Sequence, residues 1–187
     1  VPVSARTEFE RLILPHLGAA YSLARWLLRH PQDAEDAVQE AVLKAFKAFH
    51  GYGGGHAQAW LLAIVRNTCL TAIERRRSVG KVVVLGNSHP AQERWLDTVA
   101  DPAPLAETAM ITEEDRRRVH AAVAALPLQF REVVVLCEFH DLSYREIADI
   151  VGAPVGTVMS RLARARERLA VALSEVEKAL PGIGKKL

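Results

Sequence analysis

The sequence predicts an all-α protein of two small helical domains joined by a flexible linker, and three observations carry that reading. Alanine, leucine, valine, glutamate and arginine abound while aromatic residues make up 6% of the 187, and no run of alternating β-branched residues is long enough to build a sheet. Apolar residues recur at helical spacing over most of the chain before residue 78 and after residue 112. Between them the pattern lapses among Gly80, Gly86, Pro90, Pro102 and Pro104, residues that punctuate a linker. The expected domains are therefore 1–78 and 112–180, with a linker at 79–111 and a fraying tail at 181–187. Two cores of this size are each only modestly stable.

In order, Phe9, Leu12, Ile13, Leu17, Ala20, Tyr21, Ala24 and Leu28 predict one helix kinked at Pro15, or two packed helices. His30-Pro31 breaks the pattern. PQDAEDAVQEAVLKAFKAF then begins a long helix whose early acidic residues complement the helix dipole. Val38, Val42, Ala45, Phe46 and Phe49 form its expected inward stripe, leaving Asp33, Asp36, Gln39 and Glu40 outside it and available to a partner. Ordinary charge on a solvated helix would look the same.

HGYGGGHAQ, residues 50–58, holds four glycines and reads as a loop. Without a following G-K-[ST] or a preceding strand it does not fit a phosphate-binding P-loop. Exposed backbone bearing Tyr52 and His56 could cradle an unstacked base or merely turn the chain. Helical spacing returns from Ala57 to Arg77 through Trp60, Leu61, Ile64, Val65, Cys69, Leu70 and Ile73, interrupted by the polar pair Arg66 and Asn67. The closing Arg75, Arg76 and Arg77 suit a helix C-terminus whatever the function. Lys81 to Leu85, KVVVL, fits either a short strand or an apolar segment that docks on a partner.

From Thr112 onward four helices are expected. Val119, Ala122, Val123 and Leu126 form the face of the first; Phe130, Val133, Val134 and Cys137 form that of the second, after a turn at Pro127. The last two lie in LSYREIADIVGAPVGTVMSRLARARERL and make a helix-turn-helix. Ser143 with Glu146 three residues on is a capping box, Gly152 can take the left-handed conformation that ends a helix, and Pro154 allows an immediate restart. Ile147, Ala148 and Val151 should pack against Val158, Leu162, Ala165 and Leu169. Ser160, Ala163, Arg164 and Glu167 then face outward with Met159 at one margin, flanked by Arg161 and Arg168 on one side and Arg166 on the other. Short polar side chains bordered by arginines suit the major groove of DNA, where the short groups admit close approach and arginines reach bases or phosphates. A solvated charged helix would share that face, but the cap, the tight turn and the arginines together favour DNA.

The formal charge of +2 conceals separate basic and acidic clusters, which points to more than one macromolecular partner. Cys69 and Cys137 sit apart among apolar residues, so buried free thiols in a reducing cytoplasm are expected. The scattered histidines form no ligand cluster, so neither a metal nor another cofactor is expected. No apolar run is long enough for a membrane span, and the charged start, VPVSARTEFERL, is unlike a secretory signal. No nucleophile with a base, or pair of carboxylates in a pocket, is spelled out, and the chain is read as a non-enzyme. Asp33 to Glu40 would be the one acidic cluster open to a metal-dependent hydrolase.

Taken together these residues resemble a bacterial RNA polymerase sigma factor of the two-domain extracytoplasmic-function (ECF, group IV) type. LPLQFREVVVL and LSYREIADIVGAPVGTVMSRLARARERL are similar to sigma region 4, DAEDAVQEAVLKAF to region 2.2, and AWLLAIVRN to the segment joining regions 2.3 and 2.4. The resemblance implies a region 2 bundle that binds core polymerase through the clamp helices of the largest subunit and captures the promoter −10 element. It also implies a region 4 helix-turn-helix that binds the flap of the second-largest subunit and the −35 element. By position, Asp33, Asp36, Gln39 and Glu40 would meet the clamp. Tyr52, His56, Arg66 and Asn67 would meet the −10 element, and the glycine-rich loop would hold a flipped base. Ser160 and Arg164 would face −35 bases, with Thr157, Arg161 and Arg168 on phosphates. Met159 belongs to the same face but stands where many members carry arginine, which predicts a different −35 preference. Val42 replaces a frequent phenylalanine. An anti-sigma factor that occludes both domains is a further implied partner. The alternative is a stand-alone helix-turn-helix regulator with an N-terminal sensing or dimerisation domain, although that domain lacks a receiver's strand pattern.

Overall fold

The computed structural model describes residues 3–83 and 113–179, with side chains over 6–78 and 113–174. Among the described residues every regular element is helical. Helix α1 (Val3–Ile13) passes through a single 3-10 turn at Leu14–His16 into α2 (Leu17–Leu28). Pro15 lies in that turn, where its missing amide costs no helical hydrogen bond. Helix α3 (Pro31–Ala48) starts with proline in its first turn, and a second 3-10 turn (Phe49–Gly51) leads to a short loop and α4 (Ala57–Val83).

The inward stripe of α3 differs from the expected one. Ala34, Ala37, Ala41 and Ala45 are the buried residues, while Val38, Val42, Phe46 and Phe49 are only partly buried. Helix α3 packs against both α2 and α4, and alanines at the contact let the axes approach closely. The larger side chains close the rim instead: the Phe9 ring meets Phe46 and Phe49 edge-on at 5.1 and 5.2 Å. Val42, where the resemblance expects a phenylalanine, lies half-buried on this rim. Helix α4 continues to Val83, past the boundary expected at 78, so residues 81–83 are helical rather than a strand. The remainder of the linker and the tail expected to fray lie outside the described residues.

The second domain contains the four expected helices. Helix α5 (Glu113–Ala125) is followed by α6 (Leu128–Val134), which widens into a π-helical turn at Val135–Phe139. Helices α7 (Tyr144–Val151) and α8 (Val155–Ala179) form the helix-turn-helix. Val123 on α5 and Leu126 just after it are buried as expected, but Val119 is 40% exposed.

Two helices are buried on more sides than their periodicity implies. Leu23 to Leu28 are all buried on α2, including Arg25 and Trp26, and Phe130 to Leu136 are all buried on α6 and the start of the π-helical turn, including Arg131 and Glu132. The cause is tertiary: α2 packs on α6 and α4 on α7, so the domains cover each other's helices.

Candidate nucleic-acid interface

The helix-turn-helix is built as its sequence requires. Ser143 Oγ accepts from the Glu146 amide (3.3 Å), the Ser143 amide donates to Glu146 Oε2 (2.9 Å), and Gly152 ends α7 at φ 65°. The Thr157 and Val158 amides donate to the Pro154 carbonyl at 2.8 and 3.1 Å, starting α8. Ile147, Ala148 and Val151 of α7 pack with Val158, Leu162 and Ala165 of α8, all buried, while Leu169 is partly so. That packing points the opposite side of α8 outward.

Met159, Ser160, Ala163, Arg164 and Glu167 are exposed there. Ser160 Oγ donates to the Thr157 carbonyl at 2.9 Å, holding the hydroxyl close to the helix, and Thr157 is half-buried. Arg164 makes no hydrogen bond or ion pair among the described residues. The flanking arginines are engaged. The Arg168 guanidinium lies 5.1 Å from the Phe130 ring centroid, a cation–π contact. Arg166 donates to Glu138 at 2.7 Å, and that carboxylate is the chief cause of its raised pKa. Arg161 turns inward to Glu132 at 3.5 Å.

In the first domain, Tyr52 anchors the glycine-rich loop instead of standing free. Its hydroxyl donates to the Gly55 carbonyl, and its ring stacks on Phe49 at 5.7 Å and tilts against Trp60 at 5.0 Å. Gly54 lies in the left-handed region at φ 80°, which lets the loop close tightly around that hydroxyl. An open cavity of about 390 Å³ adjoins the loop, lined by Glu8, Leu12, Phe49, His50, Tyr52, Gly54 and Gly55. Glu8 and Leu12 had no signal of their own in the sequence, because α1 reaches the loop only in the folded domain. Phe49 and His50 carried a signal in the sequence, an aromatic pair directly preceding the glycines.

Of the other residues expected at the −10 element, His56 and Arg66 reach the second domain. The Arg66 Nε donates to Glu132 Oε2 at 2.8 Å and its Nη1 to Asn67 at 3.4 Å, while Asn67 itself is exposed. His56 Nδ1 is hydrogen-bonded to Glu146. The Ser143 hydroxyl and then His56 hold the Glu146 carboxyl down to about 2.

The acidic residues of α3 divide. Asp36, Gln39 and Glu40 are exposed beside Leu43, which is 62% exposed. Glu40 pairs with Lys44 at 2.7 Å, and the hydrogen bond from Lys44 lowers its carboxyl pKa. Asp33 is instead half-buried and ion-paired with Arg76 of α4. Leu43 has no polar signal, and its exposure is visible only once the alanines are seen to carry the core. Cys69 is a buried free thiol pushed up to about 12 by burial, whereas the free Cys137 is only partly buried.

Comparison with known proteins agrees with this geometry. Residues 12–79 match sigma-70 region 2 and residues 116–169 match sigma-70 region 4. The chain is 34% identical over 172 residues to the RNA polymerase sigma-H factor of Pseudomonas aeruginosa, covering 90% of this chain and 87% of that one. It is 37% identical over 141 residues to the ECF RNA polymerase sigma-E factor of Escherichia coli K12, covering 73% of this chain and 72% of that one. It is 31% identical over 166 residues to the ECF sigma factor SigE of Mycolicibacterium smegmatis, where it covers 89% of itself but spans only 62% of the relative's length. Among solved structures, the sigma factor RpoE of Bartonella quintana, crystallised with the anti-sigma factor NepR, superposes with a TM-score of 0.69 at 27% identity, covering 89% of this chain and 97% of that one. A match to region 2 in the first domain disfavours the stand-alone regulator, whose N-terminal half would be a sensing or dimerisation unit. With an acidic helix, a glycine-rich loop and an outward-facing recognition helix in one chain, and both halves matched in order, the protein belongs to the sigma-70 family as an ECF sigma factor, a transcription initiation factor.

Proposed function

We infer that the chain binds core RNA polymerase and directs it to promoters with −35 and −10 elements, assisting their melting. In this reading residues 1–78 carry clamp and −10 functions, residues 112–180 carry the −35 function and meet the flap, and 79–111 connect them. The observation that carries it is the outward face of α8, where Arg164 stands exposed and unpaired beside Ser160 on a helix fixed by the cap and core beneath it. Arg164 and Ser160 read −35 bases; Thr157, Arg161 and Arg168 position the helix on phosphates. Met159, 53% exposed, offers an apolar surface to a base edge where an arginine would form a bidentate guanine contact.

At the −10 element the cavity beside the glycine-rich loop receives an unstacked base, with Tyr52 shaping its wall and His56, Arg66 and Asn67 alongside. Unstacking costs a few kcal/mol, offset by contacts to the loop and to polymerase. Asp36, Gln39 and Glu40 form the clamp-facing surface, joined by Asp33 if its pair with Arg76 is released. Polymerase sets the separation of the two domains, which raises the effective concentration of the second contact once the first is made. No catalytic residue is assigned, and the protein acts in the cytoplasm under an anti-sigma factor, a reading supported by the complex of the B. quintana relative with NepR.

In vitro transcription with core polymerase, with start sites mapped across a genome, tests the proposal. Transcription from a defined set of promoters sharing two elements is expected, and failure to confer any promoter selectivity overturns it. Asp36→Lys with Glu40→Lys should weaken binding to core polymerase while leaving the DNA binding of the full chain intact. Unchanged polymerase binding would remove α3 from the clamp surface.

A further inference from the structure

The cavity beside the glycine-rich loop holds about 390 Å³, within the range of about 300–1,000 Å³ that small-molecule sites span. Its apolar wall is Leu12 with the rings of Phe49 and Tyr52, stacked on each other at 5.7 Å. Stacking on such a wall accepts every base, because each base has a π face. Any choice among bases therefore falls to the polar groups of the lining, and these share one character. Glu8 of α1 is exposed, and its side chain makes no hydrogen bond or ion pair among the described residues; an ionised carboxylate only accepts. Tyr52 donates its single hydroxyl proton to the Gly55 carbonyl, which leaves its oxygen to accept. His50 Nδ1 lies 3.0 Å from the Lys47 carbonyl. A carbonyl can only accept, so Nδ1 carries the proton and Nε2 of the neutral ring is an acceptor. No lysine, arginine, asparagine, glutamine, serine or threonine lines the cavity.

We propose that Glu8 is a specificity-determining residue for the −10 element: its carboxylate accepts from the exocyclic amino group of the unstacked base, so adenine, cytosine and guanine are admitted and thymine is rejected. The proposal rests on the assignment of this cavity to the unstacked base. Each favoured base carries an amino donor, N6 of adenine, N4 of cytosine or N2 of guanine, and thymine carries none. Once the base has left the duplex, its pairing edge is open to side chains. The one donor on that edge of thymine, N3–H, lies between two carbonyl oxygens. Those oxygens would meet Glu8, Tyr52 Oη and His50 Nε2, acceptor against acceptor, and stay unpaired after losing water. Glu8 and Leu12 stand one helical turn apart on α1, so a single face brings the acceptor and an apolar contact to the loop together. A carboxylate repels the phosphate backbone, which confines Glu8 to the choice of base and leaves affinity to the aromatic wall.

The test uses holoenzyme reconstituted from core polymerase and the full chain, on a promoter obtained by start-site mapping. Its −10 region is held open by mismatches, so that duplex stability does not contribute, and each non-template base is varied in turn through A, C, G and T. Binding by the parent should disfavour thymine about tenfold at one position, the discrimination of a single good base contact. Glu8→Gln, whose amide adds a donor, should reduce this to about twofold or less and leave preferences at the other positions unchanged. Glu10→Gln, on the same helix but bonded to Arg6, should alter no preference. 2-Aminopurine at the same position reports unstacking by a rise in fluorescence, whatever the base preference. A rise together with thymine discrimination that survives Glu8→Gln overturns the role of Glu8 and leaves the unstacked-base reading intact. A rise without discrimination against thymine does the same. No rise at any position overturns the assignment of the cavity, and the proposal with it.

Discussion

The two proposed recognition faces of this sigma factor are prepared in opposite ways. On α8, Ser160, Met159 and Arg164 are exposed and point away from a core of buried aliphatic residues, and no side chain of another element pairs with Arg164 among the described residues. On the first domain, Arg66 and His56 are held by acids of the second, and Tyr52 is held by its own loop. One face is preformed because a short helix-turn-helix orients it locally. The other depends on which partner occupies it, since its cations meet whichever anions are nearest in the assembled chain.

Substitution beneath α8 should break the comparison most completely. Leu162, 1% exposed between α8 and its neighbours, changed to alanine should cost about 2–5 kcal/mol in denaturant unfolding and abolish −35 recognition through loss of orientation. If DNA selectivity survived such a loss, the face would not depend on the packing beneath it.

Next in size is a pH effect at the junction of the domains. Burial holds the His140 imidazole down to about 4 from an ordinary 6.5, with the Asp141 charge opposing it, and its Nε2 has no hydrogen-bond partner. The folded pKa lies below the unfolded one, so the unfolded chain binds the extra proton first. Stability is therefore full above about pH 6.5 and falls as pH drops toward 4, by at most about 3 kcal/mol. His140→Gln should flatten that decline in chemical denaturation at stepped pH, and a decline of equal size in the variant would exclude His140 as its source.

The arginines then separate the faces. Arg164→Ala should leave unfolding unchanged but cost about 1–3 kcal/mol in promoter recognition and relax selectivity at one −35 position. Arg66→Ala should cost about 1–3 kcal/mol in folding, because Glu132 would keep only Arg161 inside a buried site. Equal effects of the two substitutions on stability would erase the distinction drawn between the faces. The smallest expected change is Ser143→Ala, which removes one half of the capping box and should cost about 1 kcal/mol, read as a drop in melting temperature.

Much of the fold was legible in the sequence because local chemistry sets it. The Ser143–Glu146 cap, Gly152 at φ 65° and the break at His30-Pro31 each sit where short-range rules place them. The alanine stripe of α3 was not legible, since hydrophobicity ranks valine and phenylalanine above alanine while close helix contact selects the smaller residue. Nor was the continuation of α4 to Val83, because Gly80 and a β-branched run both speak against helix locally.

The sequence by itself determined the helical class, the helix-turn-helix and the identity of the residues on the outer face of α8, all through interactions spanning a turn or two of chain. Only the tertiary structure decided that Arg161 and Arg66 share Glu132, that Asp33 pairs with Arg76, and that α2 and α6 are buried on nearly every side. Those outcomes depend on which charges and surfaces meet across tens of residues, where strength is set by burial and distance in the folded chain rather than by neighbours along it.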